Sequence, residues 1–391
     1  MATIAAELRD TVGCTTTTVA LDDIDGRRLA ESVVASNPHP AHDYATMDGF
    51  AVATGNELPL SIRDRRIGPG ADPIDHEPGT ALPVATGTPL PRGADAVVPQ
   101  EHARVDGGVF RGPRPEAGRH VIHRGSYYDA DETVLDCDAI LSARDAPLLR
   151  DLGRDCAVVR DPLSVGVVAT GDEVAAGVQP DRDSDAVAGL IRQWGPTVRL
   201  EDPIPDDPTA LRERLAPLAA DHNVLVTSGG TSVGSTDHTI GALADLGTVV
   251  QRGMALRPGR PVACVRLDDY DAVGFALPGK PVAAYVATVA VVAPFVGGER
   301  ALPWRTATAA RDLTLPDASL EYAVPVTVDD GTAIPVGAPE SAVSLYEDRY
   351  RPGRVAACPR VLRADGLAFR TKPLATGERI RWTPFPALEA R

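Results

Sequence analysis

The run Asn223-Val-Leu-Val-Thr-Ser-Gly-Gly-Thr-Ser-Val-Gly234 takes a β-branched strand straight into a turn rich in glycine and hydroxyls, and an acid, Asp237, follows three residues on. Stiff strand-forming side chains hand over to glycines that accept unusual dihedrals. Such a turn presents backbone N–H groups and hydroxyls to an anion, with Ser228, Gly229, Gly230, Ser232 and Gly234 as its candidate contacts. A plain strand-to-helix connection is the simpler alternative. The ATP-binding Gly-x-x-x-x-Gly-Lys-Ser/Thr loop is absent, as are Gly-x-Gly-x-x-Gly and Gly-x-Ser-x-Gly. Ser228 and Ser232 therefore have no claim as nucleophiles.

Further along, Met254-Ala-Leu-Arg-Pro-Gly-Arg-Pro261 sets Arg257 and Arg260 three apart across a proline-glycine turn. Guanidinium forks suit tetrahedral oxyanions, and phosphate, sulfate and molybdate all qualify. A second such turn, Leu277-Pro278-Gly279-Lys280-Pro281, carries one of only two lysines, the other being Lys372. Lys280 is either a ligand contact or a chance surface residue.

Carboxylates gather at two places. In Thr170-Gly171-Asp172-Glu173, Asp172 or Glu173 holds a cation or orients a polar ligand, unless the segment merely starts a helix with solvated acids. In Asp181-Arg-Asp-Ser-Asp185, Asp185 or Ser184 caps the next helix, or the acids recruit Mg²⁺. Asp48 and Thr86 lie in long polar, turn-rich segments that could close a cleft from another domain or subunit. The eight histidines form no HExxH and no close trio, which argues against zinc catalysis.

The elements that must position these residues alternate between strand and helix. Ser164–Thr170 is a short, continuously apolar strand, and Asp185–Trp194 is a helix. Residues 198–200 are a weak strand, Pro208–Ala220 a helix opened by its proline, Asn223–Thr227 a buried strand and His238–Leu246 a helix. Such alternation predicts a parallel sheet covered on both faces, with the ligand end at the carboxyl ends of the strands. Thr170-Gly-Asp-Glu and Ser228-Gly-Gly both fall there.

Around this core, residues 1–41 mix short patterns and 42–136 form a β-rich lobe. Residues 137–160 return to a helical pattern with Leu148 and Leu149 and rejoin the first stretch as a linker or scaffold domain. Residues 161–300 are the α/β domain. Residues 301–391 form a small β domain with strands at 313–315, 323–328 and from Val355 onward, and a hairpin turn at Val328-Asp-Asp-Gly331.

With 391 residues, several domains are expected. The net charge is -15, from 39 basic and 54 acidic residues, and only 4% of residues are aromatic. Duplex nucleic acid and anionic membrane are poor partners for that field. Acidity with so little lysine is what adaptation to high salt produces, and GC-rich codon usage would also raise Arg, Ala, Gly and Pro. Five scattered cysteines without a CxxC pair fit a reducing cytosol. No apolar run reaches 18 residues and the N-terminus lacks a basic leader with an apolar core, so a cytoplasmic location is expected.

Six blocks in order, Thr46-Met-Asp-Gly-Phe-Ala-Val, Ala85-Thr-Gly-Thr-Pro-Leu-Pro, Thr170-Gly-Asp-Glu, Ser228-Gly-Gly-Thr-Ser-Val-Gly, Arg257-Pro-Gly-Arg-Pro and Leu277-Pro-Gly-Lys-Pro, resemble the MoeA family, the molybdopterin molybdenumtransferases related to the gephyrin E domain. The composition suits a member from a halophilic archaeon. The resemblance spans residues 1–300 and is loose beyond. It implies a central three-layer α/β/α molybdopterin-binding (MogA-like) domain, a β-rich lobe, an N-terminal linker domain and a C-terminal small β domain. It also implies an elongated homodimer with clefts shared between subunits, and transient contact with molybdopterin adenylyltransferase.

The activity implied is Mg²⁺-dependent insertion of molybdate, or tungstate, into adenylylated molybdopterin with release of AMP. By resemblance, the Ser-Gly-Gly turn and Thr170–Glu173 line the nucleotide-phosphate side, and Arg257 and Arg260 stand near the molybdate site. Asp48 and Thr86 face the partner's cleft, while Glu173, Asp237 and Asp185 handle Mg²⁺ or water. Several positions depart from the family pattern: Tyr127 and Ser235 replace common acids, Lys280 an amide, Ala283 a hydroxyl and Asp185 an asparagine, while Arg257 and Arg260 stand where the family usually has Lys-Pro-Gly-Lys. A non-catalytic molybdopterin-binding or scaffold paralogue, or a related nucleotide-handling transferase, therefore stays open.

Overall fold

The computed structural model describes residues 2–64, 67–229, 236–298 and 302–390, with the backbone course alone at 2–3 and 236–237. The chain divides into two compact units. Residues 1–15, opening with helix α1 (Ala2–Arg9), group with residues 161–391, and residues 16–160 form the other unit.

In the unit of residues 16–160, strand β1 (Thr16–Ala20) pairs antiparallel with β8 (Cys156–Arg160), joining the two ends of the segment. Helix α2 (Ala146–Asp151) packs its buried Leu149 beside them, in a cluster with Ile24, Leu29 and Val159. Between these ends lie β2 (Gly49–Val52), β3 (Leu60–Ile62), β4 (Thr80–Val84), β5 (Ala96–Pro99), β6 (Val105–Asp106) and β7 (Val109–Phe110), forming one sheet in the order β5-β2-β4-β3-β7-β6. Gly49 is obligatory at the start of β2, because a Cβ there would lie 2.1 Å from the Val98 carbonyl oxygen of β5.

The second unit is built on β9 (Ser164–Thr170), β10 (Thr197–Ile204), β11 (Val224–Gly229), β12 (Thr248–Arg252), β14 (Ala263–Leu267) and β15 (Ala272–Leu277), in the order β10-β9-β11-β15-β14-β12. The first four are mutually parallel. Strand β14 runs antiparallel to both of its neighbours, β15 and β12, so the sheet is mixed where the sequence pattern predicts a parallel one. The cause is the tight Asp268–Asp271 connection, in which Asp271 adopts a left-handed φ of 49° and no crossover helix intervenes.

Alternation along the strands separates two cores. Val165, Val167, Val224, Val226 and Phe275 join Val187 and Ile191 of α4 (Ser184–Gln193). Val168 and Leu225 join Leu211 and Leu215 of α5 (Pro208–Asp221) and Leu243 of α6 (Thr236–Asp245). This makes the three-layer α/β/α sandwich. Helix α5 starts where expected, since Pro208 occupies its first turn and Asp207 accepts from the backbone N–H groups of Thr209 and Ala210 at 3.0 and 2.9 Å.

Strands β16 (Arg305–Ala309), β17 (Glu321–Asp329), β18 (Thr332–Pro335), β19 (Gly366–Arg370) and β20 (Arg379–Pro384) close into a ring, because β19 pairs with both β20 and β17. The β17–β18 hairpin turns on Asp330 and Gly331, both at positive φ (44° and 73°), as a two-residue I′-type turn requires. Segment 313–315 makes only isolated bridges. From Val355 the expected strand is instead the end of helix α9 (Pro352–Ala356) and a 3₁₀ turn, with β19 beginning at Gly366. Pro352 in the first turn presets helical φ, and Val355 and Ala356 are buried. A short strand β13 (Leu256–Arg257) adds parallel to β17, and one continuous apolar cluster runs from the α/β layers into the barrel. No helix among the described residues is long and apolar enough to cross a membrane.

Several barrel carboxylates are held below their ordinary range. The Thr376 backbone N–H and hydroxyl do this for Asp312, and at Glu378 the Ala375 N–H and Arg370 outweigh an opposing effect of burial. A depressed folded-state pKa gives stability that is present above the unfolded value and lost as pH falls through the folded one. The melting temperature is therefore expected to decline between about pH 5 and pH 2, and Asp312→Asn with Glu378→Gln flattens that decline in a pH series of thermal melts.

Candidate functional site

The parallel strands end together, and their glycines let the backbones touch. At Gly229 (φ 121°) an added Cβ would lie 2.1 Å from the Thr170 carbonyl oxygen. At Gly279 it would lie 2.5 Å from Gly229 Cα. Thr170, Gly229 and the Pro278-Gly279-Lys280 turn are thereby brought together at the carboxyl end of the sheet. Gly171 (φ 140°) precedes the short helix α3 (Asp172–Ala175). Thr170 and Ser228 are buried, Glu173 and Lys280 are exposed, and Asp172 accepts from the Asp206 N–H at 2.9 Å. Gly230, Ser232, Ser235 and Gly234 lie outside the described residues, as does the side chain of Asp237 on α6.

Ser228 donates its hydroxyl to Asp183 Oδ2 at 2.6 Å. Burial raises the Asp183 carboxyl above its ordinary range, opposed by this hydrogen bond and reinforced by Asp181. The cap of α4 is neither Asp185 nor Ser184. Asp181 Oδ1 takes the N–H groups of Asp183 and Ser184, both at 3.1 Å, in an Asx-type turn, which places Ser184 and Asp185 inside the first helical turn. Asp185 is exposed there, and the buried hydroxyls of Ser184 and Thr227 have no hydrogen-bond partner among the described residues. Ser228→Ala strips a buried carboxylate of its donor and is expected to cost about 1–3 kcal/mol in chemical denaturation.

Beside the strand ends lies a cavity of about 570 Å³, to which Arg252, Arg257, Arg260 and Lys280 contribute. The arginine turn is clamped at its base by Gly253 N–H to the Val262 carbonyl at 2.6 Å and Met254 N–H to the Arg260 carbonyl at 3.1 Å. Gly259 (φ 122°) leaves room for Met254, whose Cε would sit 2.8 Å from a Cβ there. Lys280 precedes helix α7 (Pro281–Ala287), which supplies Ala283 to the wall; beyond the next helix, α8 (Ala293–Gly297), α9 supplies Pro352, Gly353 and Ala356. Asp317, held low by Ser319 and to a lesser degree by Arg257 and Arg260, is the carboxylate that feels this field.

In the unit of residues 16–160, Asp48 Oδ1 accepts from the Thr86 N–H at 2.7 Å and its hydroxyl at 2.9 Å. These two residues are thus held together.

Arg252, Asp183 and the α9 wall are absent from the sequence-derived site. The acid triplet pointed toward Asp183 without singling it out. Nothing in local sequence marks Arg252 or α9. Among the described residues, no three His, Cys, Asp or Glu side chains group closely enough to hold a metal.

A covered mixed sheet with glycine-packed strand ends and a cavity lined by three arginines and a lysine defines a three-layer α/β protein extended by β-rich parts. Residues 2–153 match the family model for the MoeA N-terminal region (domain I and II), and 166–298 match that for a probable molybdopterin binding domain. The chain belongs to the MoeA family of molybdopterin molybdenumtransferases, proteins of molybdenum cofactor biosynthesis. It is 32% identical to the molybdopterin molybdenumtransferase of Nostoc sp. over 293 residues, covering 70% of this chain and 66% of that one. Against molybdopterin molybdenumtransferase 2 of Mycobacterium tuberculosis it is 29% identical over 361 residues, 84% and 87% of the two chains. Two structures of the molybdopterin biosynthesis MoeA protein from Pyrococcus horikoshii share its fold, with TM-scores of 0.76 and 0.72 at 22% and 21% identity, over 98% and 97% of this chain and 98% of each of theirs.

Proposed function

We propose that this chain inserts molybdate, or tungstate, into the dithiolene of adenylylated molybdopterin and releases AMP. The observation that carries the reading is the cavity lined by Arg252, Arg257, Arg260 and Lys280 beside the strand ends. Its guanidinium forks suit a tetrahedral dianion. The nucleotide-phosphate side falls to Thr170, Gly171, Asp172, Ser228 and Gly229, with the rest of the Ser-Gly-Gly turn.

Mg²⁺ fits by donor chemistry. Glu173 and Asp185 are exposed carboxylates. This ion is commonly held by one or two carboxylates, waters and substrate phosphates rather than by an all-protein cage. Glu173 and Asp185, with Asp237, would hold it, and when bound it supplies charge neutralisation at the phosphates. The arginine turn orients the oxyanion, and the buried Ser228–Asp183 pair fixes the wall beneath the phosphates. In this reading the protein is a cytoplasmic homodimer of four-part chains, in which Asp48 and Thr86 of a second copy complete each cleft. Transient contact with molybdopterin adenylyltransferase would deliver the substrate.

The test is AMP release from adenylylated molybdopterin by purified protein in high-KCl buffer with Mg²⁺, comparing no oxyanion, molybdate and tungstate. Oxyanion-dependent release with metallated product is expected. Calorimetric binding of the substrate without release would overturn the insertase reading in favour of a binding protein.

A further inference from the structure

The charge of this chain is unevenly placed. Residues 351–391 hold nine basic and three acidic residues, a net of +6, against -21 for the rest of the chain. On the barrel, part of this excess meets an exposed aromatic. Strands β16 and β20 pair antiparallel, with Thr306 opposite Arg381 and Thr308 opposite Arg379. All four side chains are exposed on the outer face of this ribbon.

Trp304, 41% exposed, adjoins β16, and the Arg381 guanidinium stacks 4.6 Å from its ring centroid. Arg379 Nη2 donates to Thr306 Oγ1 at 3.2 Å, and Arg305 lies 5.8 Å over Trp382. Among the described residues, Arg305, Arg379 and Arg381 make no ion pair with a carboxylate. Arg311 and Arg370, on the same barrel, are paired with Glu340, Asp348 and Glu378. Both ribbon strands have neighbours on each side, so no open backbone edge is offered. Recognition there must use side chains.

We propose that this ribbon docks an acidic segment of a second protein, through Arg379, Arg381 and Trp304. Guanidinium forks match carboxylates geometrically, and Arg and Trp are the residue types that concentrate binding energy at interfaces. A short acidic segment brings few charges, each to a locally positive place. A nucleic acid or anionic bilayer brings a long phosphate array to a chain whose overall charge is -15, and that field opposes it. The proposal is independent of the reaction proposed above.

The test is fluorescence anisotropy of a labelled peptide of alternating Asp and Glu titrated with the full chain. A single-stranded oligonucleotide of matched charge and phosphatidylglycerol vesicles serve as competitors. Arg379→Glu and Arg381→Glu are each expected to weaken peptide binding by about tenfold or more. Arg381→Lys, which keeps the charge and loses the fork, weakens it less. Arg104→Glu, an equal charge change on the other unit, leaves it unaltered, and thermal melts confirm that each variant is folded. The proposal is overturned by absence of peptide binding, by equal effects of Arg104→Glu and the ribbon reversals, or by tighter binding of the oligonucleotide or vesicles.

Discussion

Replacing Arg257 and Arg260 together by alanine is expected to weaken molybdate binding by about 10²–10⁴-fold, at two charge-assisted hydrogen-bonding groups worth about 1.5–3 kcal/mol each. Both side chains line the same cavity as Arg252 and Lys280, so the loss is partly offset by the remaining charge. Strand β13 is held to β17 through its backbone, and the 253–262 loop is clamped by main-chain hydrogen bonds. The substitutions therefore remove guanidinium groups without removing the scaffold that carries them. Changing both arginines to lysine separates charge from shape. If the rigid fork matters, the lysine variant falls between wild type and the alanine variant. Calorimetric titration with molybdate reads all three, and an unchanged Kd in the alanine variant would place the oxyanion elsewhere.

Gly229→Ala is expected to destabilise the fold by about 3–5 kcal/mol, since no movement of a flexible side chain can relieve the clash. The added methyl would meet the Thr170 carbonyl oxygen at 2.1 Å, and Gly279 already lies against Gly229 Cα from the other side. Relief requires β9 and β11 to part at their carboxyl ends. Gly177→Ala is the control. Gly177 also has positive φ (69°), yet a Cβ there would meet nothing within 4 Å. It should cost only about 1 kcal/mol of backbone strain, so the difference in denaturation midpoint isolates the clash. Equal costs for the two variants would refute the close-approach account of Gly229.

Much of the α/β layer was legible residue by residue. The apolar run Ser164–Thr170 is strand β9 with the same bounds, and Pro208 does open α5. Asp330-Gly331 turns its hairpin as its composition demands, and the ordered blocks identified the family. These features are set by neighbours a few residues apart, through dihedral preference, capping and alternation.

The rest was not legible, for a physical reason. Strand β14, antiparallel to β15, reads locally like any buried strand, because a short apolar run carries no sign of its direction. The α9 segment reads as a strand until its proline meets a helix-forming context packed on the core. Ser228 finds Asp183 across 45 residues of sequence.

The sequence alone thus determined which segments become strands, helices and glycine turns, and which side chains have the chemistry to meet an anion. Only the tertiary structure decided that Arg252, the arginine turn, Lys280 and α9 enclose one cavity, and that Asp183 is buried beneath Ser228. Contacts of such sequence separation depend on how whole layers pack, and local side-chain periodicity does not encode that packing.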